Sequence, residues 1–208
     1  FRINPKGLYK HGMAMFGELL AAKPNLAHRM LAILEKKGLL KAVITQNIDG
    51  LHQKAGSKNV FEIHGHLRTG TCMGCGRKYK MEEIMKRLKE GELPPRCDDC
   101  KKVIKPDIVL FGNNLPPEEY GKSLDAARKC DLMLVLGSSL VVAPASDLPA
   151  VALGSGALHR PVQGGAKLII MNKMVTGYDR EAEVVIHESL GKTAETILKE
   201  LESRFRII

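Results

Sequence analysis

The sequence predicts an α/β fold: a doubly wound parallel sheet interrupted by a small inserted module that holds a metal. Three observations carry that prediction. Short β-branched apolar runs alternate with amphipathic helical stretches, the pattern of strands covered on both faces. The ends of those runs are polar or Gly-rich ("TQNIDG", "FGNN", "LGSS", "MNK"). Two Cys-x-x-Cys pairs, separated by 21 residues, break the alternation in a chain of only five cysteines.

Taken in order, "NLAHRMLAILEKKG" predicts a helix with Pro24 before it, Asn25 as N-cap and Gly38 as its end. Its expected apolar face is Leu26, Met30, Ile33 and Leu34. Buried parallel strands are expected at Leu39 to Thr45, Asp107 to Gly112, Asp131 to Gly137 and Lys167 to Asn172, with a further strand at "EVVIH". The Pro-Pro-Glu-Glu opening of "PPEEYGKSLDAARKC" suits a helix N-terminus, and "TAETILKELESRF" reads as a terminal helix. Residues 1–66 and 106–208 are expected to form the larger domain, with 67–105 as the insert. The Gly-rich stretch 154–165 reads as a surface loop. Ligands of doubly wound sheets sit outside the carboxyl ends of the strands, where the polar ends listed above would converge.

Composition narrows the functional classes. With 208 residues and 44% hydrophobic content, the chain can bury one sizeable core and a satellite. No apolar run approaches the roughly 20 residues that span a bilayer, and no secretory leader is visible, so a cytoplasmic protein is expected, with a nuclear or organellar address also open. The formal charge of +9 permits anionic partners. Yet the lysines interleave with Glu and Asp along helices, as solvated faces do, which argues against direct nucleic-acid binding.

The cysteines come next. Nothing indicates an oxidising compartment, and a thioredoxin-type site needs one pair rather than two. Four thiolates in two knuckles match tetrahedral zinc, so Cys72, Cys75, Cys97 and Cys100 are expected to hold one structural Zn2+. With four protein ligands the site is closed to catalytic water. Cys130 reads as a small buried apolar residue. Of the polar stretches, "TQNIDGLH" is as consistent with an Asx-rich turn as with a ligand site. In "EIHGH", His64 or His66 could satisfy a carbonyl or act as a general base. "LGSS" alone is a common strand-end turn.

In combination, the order of "TQNIDGLH", the His-Gly step, the two Cys pairs, "PDIVLFG", "GSSLVV" and a strand-final Asn closely resembles the sirtuin family of NAD-dependent protein deacylases. The resemblance implies a Rossmann-like sheet. It also implies that acyl groups are moved from protein lysines to ADP-ribose with release of nicotinamide. It implies catalytic roles for His64, Asn47 and Asp49, with His64 rather than His66 as the base. NAD contacts are implied for Phe1, Arg2, Gln46, Asn47, Ile48, Asp49, His64, Gly137, Ser138, Ser139, Asn172 and Leu190. Val109, Phe111 and Gly112 match the segment that pairs with an acylated substrate peptide, a case of β-augmentation.

The sequence departs from the family in three places. The Gly-Ala-Gly loop is absent, and Phe1-Arg2 match the end of the Asp-Phe-Arg step that follows it, so residues missing before and just after Arg2 are expected. Asn113 stands where many members carry Glu, and 154–165 includes an insertion. Family members that remove succinyl or malonyl groups carry a Tyr-x-x-Arg pair in the helix before the Pro-Asn step. Here those positions fall on Gly12 and Met15, which implies a preference for neutral acyl groups. Two other uses of the same pocket remain open from the sequence: mono-ADP-ribosyl transfer, and binding of NAD or acyl-peptides without turnover.

Overall fold

The computed structural model describes residues 3–155 and 165–205; Phe1, Arg2 and most of the Gly-rich stretch 154–165 lie outside them. The chain opens with helix α1 (Pro5–Ala21), capped by Asn4, whose side chain accepts the Gly7 N–H at 2.9 Å. Helix α2 (Leu26–Lys36) starts on the expected cap: Asn25 Oδ1 accepts from His28 N–H. Its buried stripe is Ala27, Met30 and Leu31, with Leu34 beside it, while Leu26 is exposed. The expected face was thus rotated by one residue, because Leu26 occupies the first helical position beside the cap.

Strand β1 (Val43–Thr45) is shorter than expected, because Leu39 and Leu40 still bond back to Leu34 O in the helix exit. After α3 (Leu51–Ala55), β1 pairs in parallel with β2 (Val60–Glu62). A second parallel sheet comprises β6 (Leu132–Leu136), β7 (Lys167–Met171) and β8 (Val184–Ile186), in that order. Helices α5 (Pro117–Lys129), α6 (Leu148–Ala152) and α7 (Leu190–Phe205) complete this part. Val43 packs in a cluster with α2 and α7, whereas Ile44 packs against α5 and α6. Alternate residues of β1 are therefore buried on opposite faces, the coverage that a doubly wound sheet requires. Leu136 and Met133 of β6 join the same two clusters, so both parallel sheets share their covering helices.

The segment between β2 and α5 is built differently. Strands β3 (Gly65–Cys72), β4 (Lys78–Lys80) and β5 (Ile104–Ile108) form an antiparallel sheet in the order β4-β3-β5, flanked by α4 (Met81–Lys89). Here the sequence reading needs correction. The strand expected at Asp107 to Gly112 begins and ends earlier, pairs antiparallel with β3, and gives way to a turn closed by Asn113 N–H on Leu110 O at 2.9 Å. Its apolar core contains Leu67, Tyr79, Met81, Ile84 and Ile104, together with Tyr9 and Phe16 of α1. Gly12 allows that packing, since a Cβ there would lie 2.9 Å from the Phe16 ring. Tyr9 Oη reaches across to donate to Ile104 O at 2.8 Å.

Candidate active site and metal centre

The two Cys knuckles face each other across the β3-β4 turn and the chain that leads into β5. Gly74 N–H donates to Cys72 Sγ at 3.3 Å, and Gly76 turns the first knuckle with φ +77°. In the second, Lys101 N–H closes onto Cys97 O at 3.1 Å. The sulfurs of Cys72, Cys75, Cys97 and Cys100 all lie within 4.8 Å of one another, with Cys72–Cys100 at 3.3 Å and Cys75–Cys97 at 3.5 Å. A tetrahedral zinc with Zn–S bonds of about 2.3 Å needs sulfurs about 3.8 Å apart, so this cluster fits the ion. The Tyr79 hydroxyl donates to Cys97 Sγ at 3.2 Å and, with nearby backbone N–H groups, pushes that thiol down to about 6. Arg77 and Arg87 flank the Tyr79 ring at 5.4 and 5.1 Å and bond Asp99 and Asp98 beside the knuckle. This is an environment for thiolate ligands. Cys130 is half-buried, and its Sγ donates to Ala127 O.

The second constellation sits at the carboxyl ends of β1, β2, β6 and β7. Beyond β1, Asn47 N–H donates to Thr45 Oγ1 at 3.1 Å and Leu51 N–H to Asp49 Oδ1 at 2.9 Å. The Asx-turn reading is therefore correct as local structure, with Gln46 half-buried and Asn47 exposed just beyond the strand. Gly50, at φ +68°, closes the turn. Ile48 packs against the module core, and its carbonyl accepts from Leu67 N–H at 2.9 Å.

His64 follows β2, where its Nδ1 lies 3.1 Å from Gln46 O. A carbonyl only accepts, so Nδ1 carries a proton, and in the neutral ring the lone pair is then on Nε2. The next residue must be glycine: Gly65 has φ +74°, and a Cβ would fall 2.2 Å from Asp107 O. His64 O accepts from Val109 N–H at 2.9 Å, which ties the His-Gly step to the chain beyond β5. His66, two residues on, differs. Burial first, then the Arg68 charge, lowers its pKa, and its Nδ1 is buried with no partner among the described residues. Arg68 forms a two-pronged pair with Glu62, at 2.6 and 2.5 Å, which braces the base of the turn. The sequence reading did not single out this pair; Glu62 and Arg68 are too common as surface residues to signal it.

At the end of β6, Ser138 Oγ lies 3.5 Å from Gln46 Oε1, joining the ends of the two parallel sheets. Gly137, at φ +62°, donates to Met171 O and lies under Leu190, whose Cδ1 would be 2.9 Å from an added Cβ. Ser139 is half-buried beside them. Asn172 is buried at the end of β7, its Nδ2 donating to Met174 O at 2.8 Å. Val109 is half-buried, while Phe111 is fully exposed and Gly112 has φ +80°. Phe1 and Arg2 fall outside the described residues. No helix among the described residues is long and apolar enough to cross a membrane.

Comparison with known proteins agrees with this arrangement. The model of the Sir2 family matches residues 1–144. An NAD-dependent protein deacetylase of Thermodesulfovibrio yellowstonii is 47% identical over 94% of this chain and 73% of its own length. One from Thermotoga maritima is 42% identical over 96% of this chain and 77% of its own. Solved structures are similar too. Sir2 with a p53 peptide and NAD+ superposes with a TM-score of 0.88 at 42% identity, covering 96% of this chain and 79% of that one. Sir2Tm with a propionylated peptide gives the same score and identity over 96% and 80%. The polar strand ends, the four-cysteine module and these matches along nearly the whole chain lead to one conclusion: this chain belongs to the Sir2 family.

Proposed function

We propose that the chain is an NAD-dependent protein-lysine deacylase that moves the acyl group to ADP-ribose and releases nicotinamide. The observation that carries this is the bonding of His64. Its Nδ1–H is committed to Gln46 O, so Nε2 is an acceptor at the mouth of the strand-end site, the state that a general base needs. Relatives at 47% and 42% identity are named NAD-dependent protein deacetylases, and similar structures hold acetylated or propionylated peptides.

The strand ends fit a nucleotide: Gln46, Ser138 and Gly137 converge where the two parallel sheets meet, the usual ligand position in such folds. In this reading Gln46, Asn47, Ile48, Asp49 and His64 hold the nicotinamide and ribose end, and Gly137, Ser138, Ser139, Asn172 and Leu190 the adenosine end. Phe1 and Arg2, outside the described residues, are further NAD contacts in this reading. Bound NAD supplies a glycosidic bond from which nicotinamide leaves as a neutral molecule. The chain's contribution is orientation and proton transfer: Asp49 is fixed by Leu51 N–H, and His64 takes up a proton at Nε2. The acylated peptide adds to the outer edge of β5 and the segment beyond it, through Val109, Phe111 and Gly112. Among the described strands β5 pairs with β3 alone, its first residue Ile104 also bonds Pro95 O, and Phe111 is exposed.

Residues 67–105 form the metal-binding module in this reading, and the ion it holds is one structural Zn2+, closed to water by four sulfurs. Free thiols of this kind suit a reducing compartment such as the cytoplasm. Incubating the full-length protein with NAD and an acetyl-lysine peptide tests the function. Free lysine peptide with one nicotinamide and one O-acetyl-ADP-ribose per turnover is expected. ADP-ribosylated protein without deacylation, or binding without turnover, would overturn it.

A further inference from the structure

We propose that His187 is a positioning residue for the nucleotide end of the site, because its imidazole straps the segment from Asn172 to Asp179 across both ends. The inference rests on the reading above that Asn172 faces NAD. His187 stands where β8 ends beside β7, and Asn172 N–H donates to Ile186 O at 3.1 Å just before it. One ring nitrogen, Nδ1, lies 2.8 Å from Asn172 O; the other, Nε2, lies 3.2 Å from Asp179 Oδ2. Asp179 Oδ1 in turn accepts from Thr176 N–H at 3.1 Å and Thr176 Oγ1 at 2.6 Å. Asn172 and Thr176 are buried, whereas Met174 and Val175 at the tip are 65% and 76% exposed. The tip has little cover of its own, so the bonds at its base set the geometry of the segment.

Both acceptors constrain the ring. A carbonyl oxygen and a carboxylate only accept, so the ring meets an acceptor at each of its two nitrogens. The Thr176 hydroxyl, ahead of its backbone N–H and the neighbouring imidazole, holds the Asp179 carboxyl below the usual range and so anionic. Among the described residues no other carboxylate lies within 4 Å of the ring; Glu188, next in the chain, pairs with Lys192 at 3.7 Å. The other charged neighbours in sequence are Lys173 and Arg180, at the two ends of the strap. When the ring is removed, both anchors go with it. The segment then gains freedom that NAD must remove on binding, which weakens affinity without altering the chemistry at His64.

The test measures NAD affinity of the full-length protein by calorimetry, with amide hydrogen exchange across residues 172–179. His187→Ala is expected to raise the Kd for NAD about tenfold, the usual effect of losing one charge-assisted hydrogen bond, and to speed exchange in the segment. The kinetic change should fall on the KM for NAD rather than on kcat. His187→Gln should recover part of the loss. Asp179→Asn should reproduce the weaker binding. Asn172→Ser, measured in parallel, separates the two ideas. If it weakens NAD while His187→Ala stays within about twofold of native, the strap is wrong and the proposed function stands. If neither changes NAD affinity, Asn172 does not face the nucleotide and the inference falls with that assignment.

Discussion

His64 lies in the turn after β2 and His66 two residues on, in β3, yet their surroundings give them different chemistry. His64 donates from Nδ1 to a backbone carbonyl and presents a free Nε2. His66 has a buried Nδ1 without a partner among the described residues and a guanidinium nearby that disfavours protonation. His64→Ala is therefore expected to lower deacylation by at least about 10²-fold, the usual contribution of a general base, while NAD affinity changes little. His66→Ala should keep most of the turnover. Steady-state kinetics with calorimetric NAD titration of both variants checks this, and an inactive His66→Ala beside an active His64→Ala would reverse the assignment.

Strand β3 links the two halves of the site. It starts at Gly65, directly after His64, and ends at Cys72, the first sulfur of the knuckles. Beyond the knuckles, β5 returns along it, and the next residue, Val109, donates to His64 O. In the proposed function, a metal at the four sulfurs would act on His64 through this ladder of backbone bonds rather than through chemistry at the ion. Cys97→Ser should release the metal and lower the melting temperature, since metal binding and folding of such modules are coupled. Activity should fall as a consequence of the loosened ladder. Stoichiometric metal in that variant, read by elemental analysis, with unchanged melting would show that the four-sulfur site is misassigned.

Over the whole molecule, two properties follow from what is buried. His28, His52 and His66 all have lowered pKa values, each through burial first; the His28–His52 rings lie 4.6 Å apart, so His28 also disfavours a charge on His52. In the unfolded chain these groups take up protons near pH about 6.5, before the folded chain does. Their contribution to stability is then fully present above that pH and is lost as pH falls through the lower folded values. Urea unfolding at pH about 7.5 and about 5.5 should show lower stability at the acid pH; equal stability would contradict the burial argument. The second property is acyl preference. The resemblance implies that Gly12 and Met15 stand at the acyl-selecting positions; Gly12 is buried under Phe16 and Met15 is an exposed thioether, so neither would offer a cation to an acyl carboxylate there. Burying an unpaired carboxylate costs several kcal/mol, whereas each buried methylene gains about 0.8 kcal/mol. Acetyl and longer neutral acyl groups should be removed with higher kcat/KM than succinyl on the same peptide, and equal or better desuccinylation would refute the assignment.

The sequence by itself determined the α/β class, the Asn25 cap, the four sulfurs and the polar strand ends, because each is written in contiguous residues: alternating apolar runs, an Asn before a helix, paired Cys-x-x-Cys, a Gly after a strand. It also carried the family, through "TQNIDGLH" and the His-Gly step. Only the tertiary structure decided what depends on residues distant in the chain. It moved β5 from a parallel strand to an antiparallel edge, because Ile104–Ile108 found β3 as its partner and an apolar run does not specify which strand it will pair with. It showed α1 burying Tyr9 and Phe16 against the metal module, and Arg68 closing on Glu62 beneath His64. It brought His187 between Asn172 and Asp179, a contact that no local pattern signals because β7 and β8 must first align. Local propensity and spacing set which groups are present; packing sets which of their hydrogen-bonding atoms remain free.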